Sequence, residues 1–230
     1  MNKHLLELQH IDVFYEQGWL VLNDLLSPTQ IKHYQKALES HPGCSMRNLW
    51  QQIPEFKTLS LRMAFARLGM QLTKLKTVRF GCDHLFSSLE ELKAFFHGDS
   101  ILKNLISINH IESALLLNLS STIETPINIE ETSHPILEEV ATTEPAAVDP
   151  EARIPATIPT IGGSGVFLKH TTPLNLNIDQ AQGPFLLIVY CAPQARYLHN
   201  KADPFTHDVK KEHFAFGDVL SNQHHPLLHF

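Results

Sequence analysis

Residues 162–197, GGSGVFLKHTTPLNLNIDQAQGPFLLIVYCAPQARY, contain the pattern that decides the fold of this chain. Two runs rich in β-branched and aromatic residues, 166–169 and 185–191, flank a shorter alternating run over 174–178, and Gly and Pro separate the runs. This pattern is typical of consecutive antiparallel strands. The run after Pro184 is apolar without alternation, which predicts a central strand that is covered on both faces. The two flanking runs are expected to be adjacent walls of one closed barrel.

The length and composition indicate one domain over residues 1–230. A chain of 230 residues that is 43% hydrophobic can bury one substantial core. No apolar run approaches the roughly 20 residues that cross a bilayer, and the first residues lack the pattern of a signal peptide. We therefore expect no membrane span and a cytoplasmic location. Three cysteines without a CxxC pair indicate neither a disulfide framework nor a cysteine zinc site.

Residues 122–161 differ in character from the rest of the chain. They contain eight acids against one base, which gives −7, whereas the whole chain carries −6. They are also rich in proline, and such a segment buries too little apolar surface to offset the entropy of ordering. We predict an acidic, Pro-rich disordered insertion within the single domain. The remainder is close to neutral, so no phosphate-binding face for nucleic acid is expected.

The first half of the chain predicts a helical layer around one strand. An amphipathic helix should end at Gly18, a strand should cover 19–22, and a second helix should begin at Ser27 with a capping box. Leucine and phenylalanine spacing over 56–76 predicts one long core-packing helix. Further strands are expected at 77–80 and 111–119.

Three stretches, taken in order, resemble the phytanoyl-CoA dioxygenase family. They are FYEQGWLVLNDLLS over 14–27, LGMQL over 68–72 leading into VRFGCDHLF over 78–86, and the late block over 162–197. The resemblance covers about half of the chain. It implies an α+β fold, a double-stranded β-helix of the jelly-roll or cupin-like barrel type with an N-terminal helical layer.

Enzymes of that family hold iron(II) with two histidines and one carboxylate, and they leave open positions for 2-oxoglutarate and oxygen. Their layout is H-x-D after an early strand, a distal histidine late in the barrel, and a downstream arginine that binds 2-oxoglutarate bidentately. The resemblance makes His97 and Asp99 candidate metal ligands. The same residues also fit a helix C-terminus capped by Gly98. An H-x-E variant at His110 and Glu112 is a further alternative.

The distal histidine can be sought in two registers. If 165–169 is the penultimate barrel strand, Leu174 or Asn175 takes the histidine position and Pro184 or Phe185 stands near the arginine position. If 217–220 is that strand, the ligand would be His225 or His229. We prefer the first register, because residues 185–190 form a convincing closing strand.

A shifted register gives another possibility, in which His170 binds the metal and Arg196 binds the cofactor carboxylate. The leading hypothesis is a divergent, non-catalytic member that binds an unknown small molecule or protein partner. The alternative is an active iron(II)/2-oxoglutarate dioxygenase that hydroxylates a small or lipid-like substrate. In that alternative His97, Asp99 and either His170 or His229 hold iron, and Arg196 holds 2-oxoglutarate. Whether the chain is an enzyme, and which cofactor it uses, stays open at this point.

Overall fold

The computed structural model describes residues 6–97, 100–121, 155–175, 181–208 and 214–229. The N-terminal part supplies α1 (Leu8–Gln17), β1 (Trp19–Leu22), α2 (Pro28–Glu39), α3 (Leu49–Gln52), α4 (Pro54–Ser60) and α5 (Met63–Thr73). The middle supplies β2 (Thr77–Phe86), α6 (Leu89–Phe95), α7 (Leu102–Leu105) and β3 (Ile111–Asn118). The C-terminal part supplies β4 (Ala156–Thr157), β5 (Gly165–Lys169), β6 (Leu174–Asn175), β7 (Phe185–Cys191) and β8 (Leu227–His229).

A six-stranded sheet in the order β1-β5-β3-β7-β2-β8 forms the centre of the fold. Neighbouring strands in it are antiparallel, whereas β4 and β6 pair in parallel in a second, small sheet. The prediction of a central strand at 185–191 is confirmed, since β7 pairs with β3 and β2 and all of its residues are buried. The expectation that this strand adjoins β5 is wrong. Both strands pair with β3, which lies between them.

The two faces of the sheet enter two separate cores. Alternate residues of β7, such as Leu186 and Ile188, pack with the helices α1 to α5 in what we call the helix-side core. The intervening residues, such as Leu187 and Val189, pack with α6, α7 and the small sheet in what we call the inner core. A strand buried on both faces cannot alternate between apolar and polar residues. This explains the continuous apolar runs in the sequence.

The local start and stop signals of the N-terminal helices are confirmed. Gly18 ends α1 in the left-handed conformation at φ 84°. The Ser27 hydroxyl accepts a hydrogen bond from the backbone N–H of Gln30, and the Gln30 side chain accepts one from the backbone N–H of Ser27. The entry into α2 is therefore fixed by residues within one turn of the helix.

The prediction of one helix over 56–76 is wrong, because the chain breaks into α4 and α5 at Leu61 and Arg62. Arg62 has an extended backbone, with φ −62° and ψ 114°. Just before the break, the Ser60 hydroxyl donates a hydrogen bond of 2.6 Å to the Asp83 carboxylate in β2. This tertiary contact holds the end of α4, and apolar spacing along the helix cannot reveal it.

Most of the predicted disordered insertion, residues 122–154, lies outside the described residues. Residues 155–161 are described, and they contribute β4 with Ala156 and Ile158 fully buried. The packed part of the chain thus begins earlier than the predicted boundary at Ile161. Within the described ranges, no helix has both the length and the apolarity to cross a bilayer. The single-domain organisation and the cytoplasmic location stay predictions.

Candidate functional site

A group of buried polar side chains lies where the loop before α3, the strand β2 and the segment after β7 meet. Residues 46–48 run along β2 and form backbone contacts with it, including an antiparallel bridge between Arg47 and His84. Every residue of the group is at most 7% exposed, in contrast to ordinary polar residues, which lie at the surface. We call this group the polar centre. It consists of Arg47, Asp83, His84, Tyr197, Asp203 and His225.

Asp83 holds two helices against the sheet. Its carboxylate is 0% exposed, and one oxygen, Oδ2, accepts hydrogen bonds from the Ser60 hydroxyl at 2.6 Å and the Trp50 backbone N–H at 3.1 Å. The other oxygen, Oδ1, has no hydrogen-bond partner in the structure. Burial raises the pKa of Asp83 to about 6, although these hydrogen bonds and the charge of Arg47 act in the opposite direction. Asp83 therefore joins the start of α3 and the end of α4 to β2.

Arg47 is a buried cation whose hydrogen bonding is incomplete. Its Nη2 lies 3.7 Å from the nearer carboxylate oxygen of Asp203, its guanidinium lies 5.4 Å from the Phe205 ring centroid, and its Nη1 has no partner. Arg79 provides a comparison within the same chain, since it is 5% exposed and Arg47 is 7% exposed. The Arg79 guanidinium donates to three acceptors at 2.6–2.9 Å, the Pro193 and His225 carbonyls and the Asn222 side chain.

Residues 200–208, which we call the cover segment, close the outer side of the polar centre. This segment contains turns rather than a regular helix or strand. Its Asp203 accepts from the Ser107 N–H at 2.7 Å through Oδ2 and from the Phe205 N–H at 3.0 Å through Oδ1. Thr206 and Ser107 join their hydroxyls at 2.7 Å. Each carboxylate oxygen of Asp203 thus accepts a hydrogen bond from a backbone N–H group, and neither accepts one from Arg47.

Tyr197 and His225 form a hydrogen-bonded pair beneath the cover segment. The Tyr197 hydroxyl lies 2.6 Å from His225 Nε2, and His225 Nδ1 lies 2.6 Å from the Gly81 carbonyl oxygen. Gly81 sits in a bulge where the pairing between β2 and β7 shifts by one residue, so its carbonyl is available to a side chain. A carbonyl only accepts, so Nδ1 carries the hydrogen, and in the neutral imidazole Nε2 accepts from the tyrosine.

His84 lies in a cage of aromatic rings. Its ring centroid is 4.5 Å from that of Phe86, 5.4 Å from that of Phe95 and 5.2 Å from that of Phe205. Burial, assisted by the charge of Arg47, lowers the pKa of His84 to about 3. The imidazole is therefore neutral at pH 7, and the folded protein resists its protonation.

Replacing His84 with Phe is expected to make the protein relatively more stable than the wild type as the pH falls. The folded-state pKa of His84 is below its ordinary value of 6.5, so its contribution is complete above pH 6.5 and declines as the pH falls toward 3. The raised pKa of Asp83 has the opposite effect between about pH 4 and 6 and partly hides this decline in the wild type.

Urea unfolding at pH 7.5, 6.0 and 4.5 measures the effect. The free energy of unfolding of the His84→Phe variant, minus that of the wild type, should increase from pH 7.5 to 6.0 and again from pH 6.0 to 4.5. A His33→Phe variant, at an exposed position, controls for the added ring. A constant difference across the three pH values would show that His84 does not carry the acid sensitivity.

A cavity of about 20 Å³ lies within the polar centre, and a space of that size is sufficient for a water molecule. Two of its lining residues have buried polar atoms without a partner, Nη1 of Arg47 and Oδ1 of Asn48. One is a donor and the other an acceptor. Its other lining residues include Cys82, Ser107, Tyr197, Asp203 and His225.

His97, His170 and Arg196, three of the residues proposed from the sequence as metal and cofactor ligands, lie outside the polar centre. His97 is exposed just after α6, and Asp99 lies outside the described residues. His170 is half-buried in the turn after β5. Arg196 is exposed, and its guanidinium donates to the Gly217 carbonyl oxygen at 2.7 Å. Over the described ranges, no three or more His, Cys, Asp or Glu side chains form a group that could hold a metal ion.

The alternative ligands are also distributed over separate places. His110 is exposed with φ 50°, and Glu112 is half-buried at a bulge at the start of β3. His229 is exposed on β8, where its ring contacts the Thr77 hydroxyl at 3.2 Å, whereas His225 belongs to the polar centre. A second H-x-D begins at His10, whose ring caps the start of α1.

Comparison with solved structures identifies the architecture. The non-heme alpha ketoglutarate dependent carbocyclase SnoK, from nogalamycin biosynthesis, matches with a TM-score of 0.61 at 14% identity over 97% of this chain and 96% of its own. The chain has a double-stranded β-helix fold. The epimerase SnoN of the same biosynthesis matches at 0.61 and 15% identity over 96% and 98% of the two chains. At these identities the similarity shows the fold and not the activity.

CT296 from Chlamydia trachomatis matches with a TM-score of 0.52 at 13% identity, over 84% of this chain and 99% of its own. No protein-family model matches the sequence, and no curated protein matches it. The double-stranded β-helix expected from the sequence is therefore confirmed, while the phytanoyl-CoA dioxygenase family itself stays an interpretation.

The interior of the double-stranded β-helix provides a test of whether iron and 2-oxoglutarate fit. The preferred register assigns the distal histidine position to Leu174 or Asn175 and the neighbourhood of the arginine to Pro184 or Phe185. Of these residues, Leu174 and Phe185 have large apolar side chains. Both side chains are buried in the inner core, among aliphatic and aromatic neighbours and the thiols Cys82 and Cys191. Burial raises the pKa of both thiols above the ordinary range. Leucine and phenylalanine offer no donor atom to iron and no guanidinium to a carboxylate, so this part of the interior does not fit the pair.

The polar centre was not predicted from the sequence, although one signal for it was present. Asp83 and His84 are adjacent polar residues inside β2, a strand that is otherwise largely apolar and fully buried from Val78 onward. Buried acids and histidines need specific partners, so such a pair marks a buried polar contact. The partners come from distant sequence positions, such as Phe205 for His84, and no local pattern predicts them.

Proposed function

We propose that this protein is a divergent double-stranded β-helix protein that acts by binding a small molecule or a protein partner, without iron and 2-oxoglutarate catalysis. A relation to the phytanoyl-CoA dioxygenase family is part of the proposal. The observation that carries it is the filled inner core, which buries Leu174 and Phe185 among apolar neighbours. The preferred register assigns the distal histidine position to Leu174 or Asn175 and the neighbourhood of the arginine to Pro184 or Phe185.

Two further observations support a binding role, and a third supports a second candidate. His97 and Arg196 are exposed, and the Arg196 guanidinium already donates to a main-chain carbonyl. The polar centre places a buried arginine with an unfilled donor beside a cavity, and a guanidinium forms strong hydrogen bonds with anionic oxygen acceptors. The similarity of the fold to SnoK and SnoN supports the second candidate, an active dioxygenase with His97, Asp99, His170 and Arg196 in its site.

Anaerobic titration with iron(II) and 2-oxoglutarate separates the two candidates. A dioxygenase that binds both gives a visible metal-to-ligand charge-transfer band, and we expect no such band from this protein. An iron(II)/2-oxoglutarate enzyme of the same fold, titrated in parallel, confirms that the assay detects the complex.

A band that disappears in His97→Ala or Asp99→Ala variants would overturn the binding proposal and establish the dioxygenase. The matched control is His10→Ala, because His10 belongs to the H-x-D on α1, outside the sheet. Loss of the band in the two test variants but not in the control would assign the metal to the later motif.

A further inference from the structure

The incomplete hydrogen bonding of Arg47 is the starting point. A guanidinium carries five N–H donors, and a buried donor without an acceptor costs about 1–3 kcal/mol. Arg79 shows that this fold can supply a buried guanidinium with three acceptors from its own carbonyls and amides. Arg47 instead faces a cavity with Nη1 unpaired, so an acceptor from outside the chain would complete its hydrogen bonding.

Asp203 provides charge but not hydrogen bonds to Arg47. The distance of 3.7 Å between Nη2 and Oδ2 exceeds a hydrogen bond, and both oxygens of Asp203 are engaged with the backbone N–H groups of Ser107 and Phe205. A second carboxylate beside Asp203 would be repelled. If another carboxylate replaces Asp203 beside Arg47, the net charge around the guanidinium stays the same.

We propose that Arg47 anchors a binding site for a small carboxylate, and that Asp203 occupies the place of this carboxylate when the cover segment is closed. This inference rests on the proposed binding function and gives it a ligand class. The bound carboxylate accepts two parallel hydrogen bonds from the planar guanidinium, a geometry that Asp203 does not reach.

The size of the cavity limits the ligand. The closed cavity of about 20 Å³ is sufficient for water only, but withdrawal of the Asp203 side chain adds the volume of one carboxylate group. The inner core beneath is filled by apolar side chains that are almost fully buried, so no long chain enters there. The ligand class is therefore a small organic acid anion of the size of formate or acetate.

The thiol of Cys82 can report movement of the cover segment. Cys82 lines the cavity, is 2% exposed, and has a pKa that burial raises to about 12, so it should react with an alkylating reagent only after it becomes accessible. Cys191 is also buried in the inner core but does not line the cavity. Local opening should expose Cys82 alone, whereas global unfolding exposes both.

The first experiment compares the wild type with Asp203→Asn, each in a Cys44→Ser background, by iodoacetamide labelling and mass spectrometry. The asparagine has no charge to pair with Arg47, and its amide group cannot accept from both backbone donors. We expect Cys82 labelling to accelerate at least tenfold while Cys191 labelling stays unchanged. An unchanged Cys82 rate, or an equal acceleration of both cysteines, would overturn the role of the cover segment.

The second experiment measures acetate binding by calorimetry, with sodium chloride at matched ionic strength as the blank. Asp203→Asn should bind acetate at least tenfold more tightly than the wild type, because acetate restores the missing charge. Asp12→Asn, at an exposed position on α1, is the matched control and should behave as the wild type.

The Arg47→Lys variant tests the anchor itself. Lysine keeps the charge but lacks the planar pair of donors, so acetate binding in an Asp203→Asn background should weaken at least tenfold. Equal acetate affinity with lysine or arginine at position 47, or equal affinity in wild type and Asp203→Asn, would overturn the carboxylate site. Neither result depends on iron, so this inference and the proposed function can fail separately.

Discussion

Replacing Asp83 with Ala is expected to lower the free energy of unfolding by about 3–5 kcal/mol, the range for breaking a buried charged network. The change removes the acceptor for the Ser60 hydroxyl and the Trp50 N–H, and both groups are buried. It also removes a negative charge near Arg47, which then has Asp203 as its remaining close carboxylate. Urea denaturation at pH 7.5 measures the loss.

Two further variants identify the cause of that loss. Asp83→Asn keeps one oxygen as an acceptor and should cost less than half as much as the alanine variant. Asp12→Ala, at an exposed helix position, should change stability by no more than about 0.5 kcal/mol. A cost below about 1 kcal/mol for Asp83→Ala would show that the ties of α3 and α4 to β2 do not depend on this carboxylate.

Replacing Gly163 with Ala is expected to cost about 2–5 kcal/mol, as the sum of left-handed backbone strain and overpacking. Gly163 has φ +84°, and a Cβ added there would overlap the Leu26 carbonyl oxygen. The two segments cannot separate easily, because the Leu26 N–H donates to the Gly163 carbonyl at 3.1 Å. Thermal or urea unfolding of the purified variant measures the effect.

Gly43 offers a matched control for the backbone strain alone. Its φ is +83°, almost the same as that of Gly163, but no atom lies within 4 Å of an added Cβ. Gly43→Ala should therefore cost about 1–2 kcal/mol, the penalty of the left-handed conformation by itself. If the two alanine variants lose equal stability, the contact between Gly163 and Leu26 does not contribute.

The elements that sequence reasoning predicted correctly depend on signals within a few residues. The capping box at Ser27, the left-handed glycine at Gly18 and the unbroken apolar run of β7 each specify structure locally. The break between α4 and α5 was missed because the contact between Ser60 and Asp83 joins residues 23 apart in sequence. The strand β8 was missed because three residues are too few for a periodic pattern.

The candidate site was harder to predict than the fold for the same reason. The predicted metal site relied on motifs with short spacing, such as the H-x-D at His97. The polar centre instead collects Arg47, Asp83, Tyr197, Asp203 and His225 from distant parts of the chain. Asp83 lies within an apolar run, but Arg47, Tyr197, Asp203 and His225 have no such local signal in the sequence, and only folding brings them to it.

During translation, the strand β2 cannot complete its pairing until much later parts of the chain have been made. It pairs with β7 and β8, which follow it by about 100 and 150 residues, and Arg79 within it needs the carbonyl of His225 and the side chain of Asn222. A nascent chain on the ribosome therefore carries an unpaired edge on β2 and an unsatisfied arginine until residues 222–229 have emerged. Residues 227–229 close the sheet by pairing with the free edge of β2.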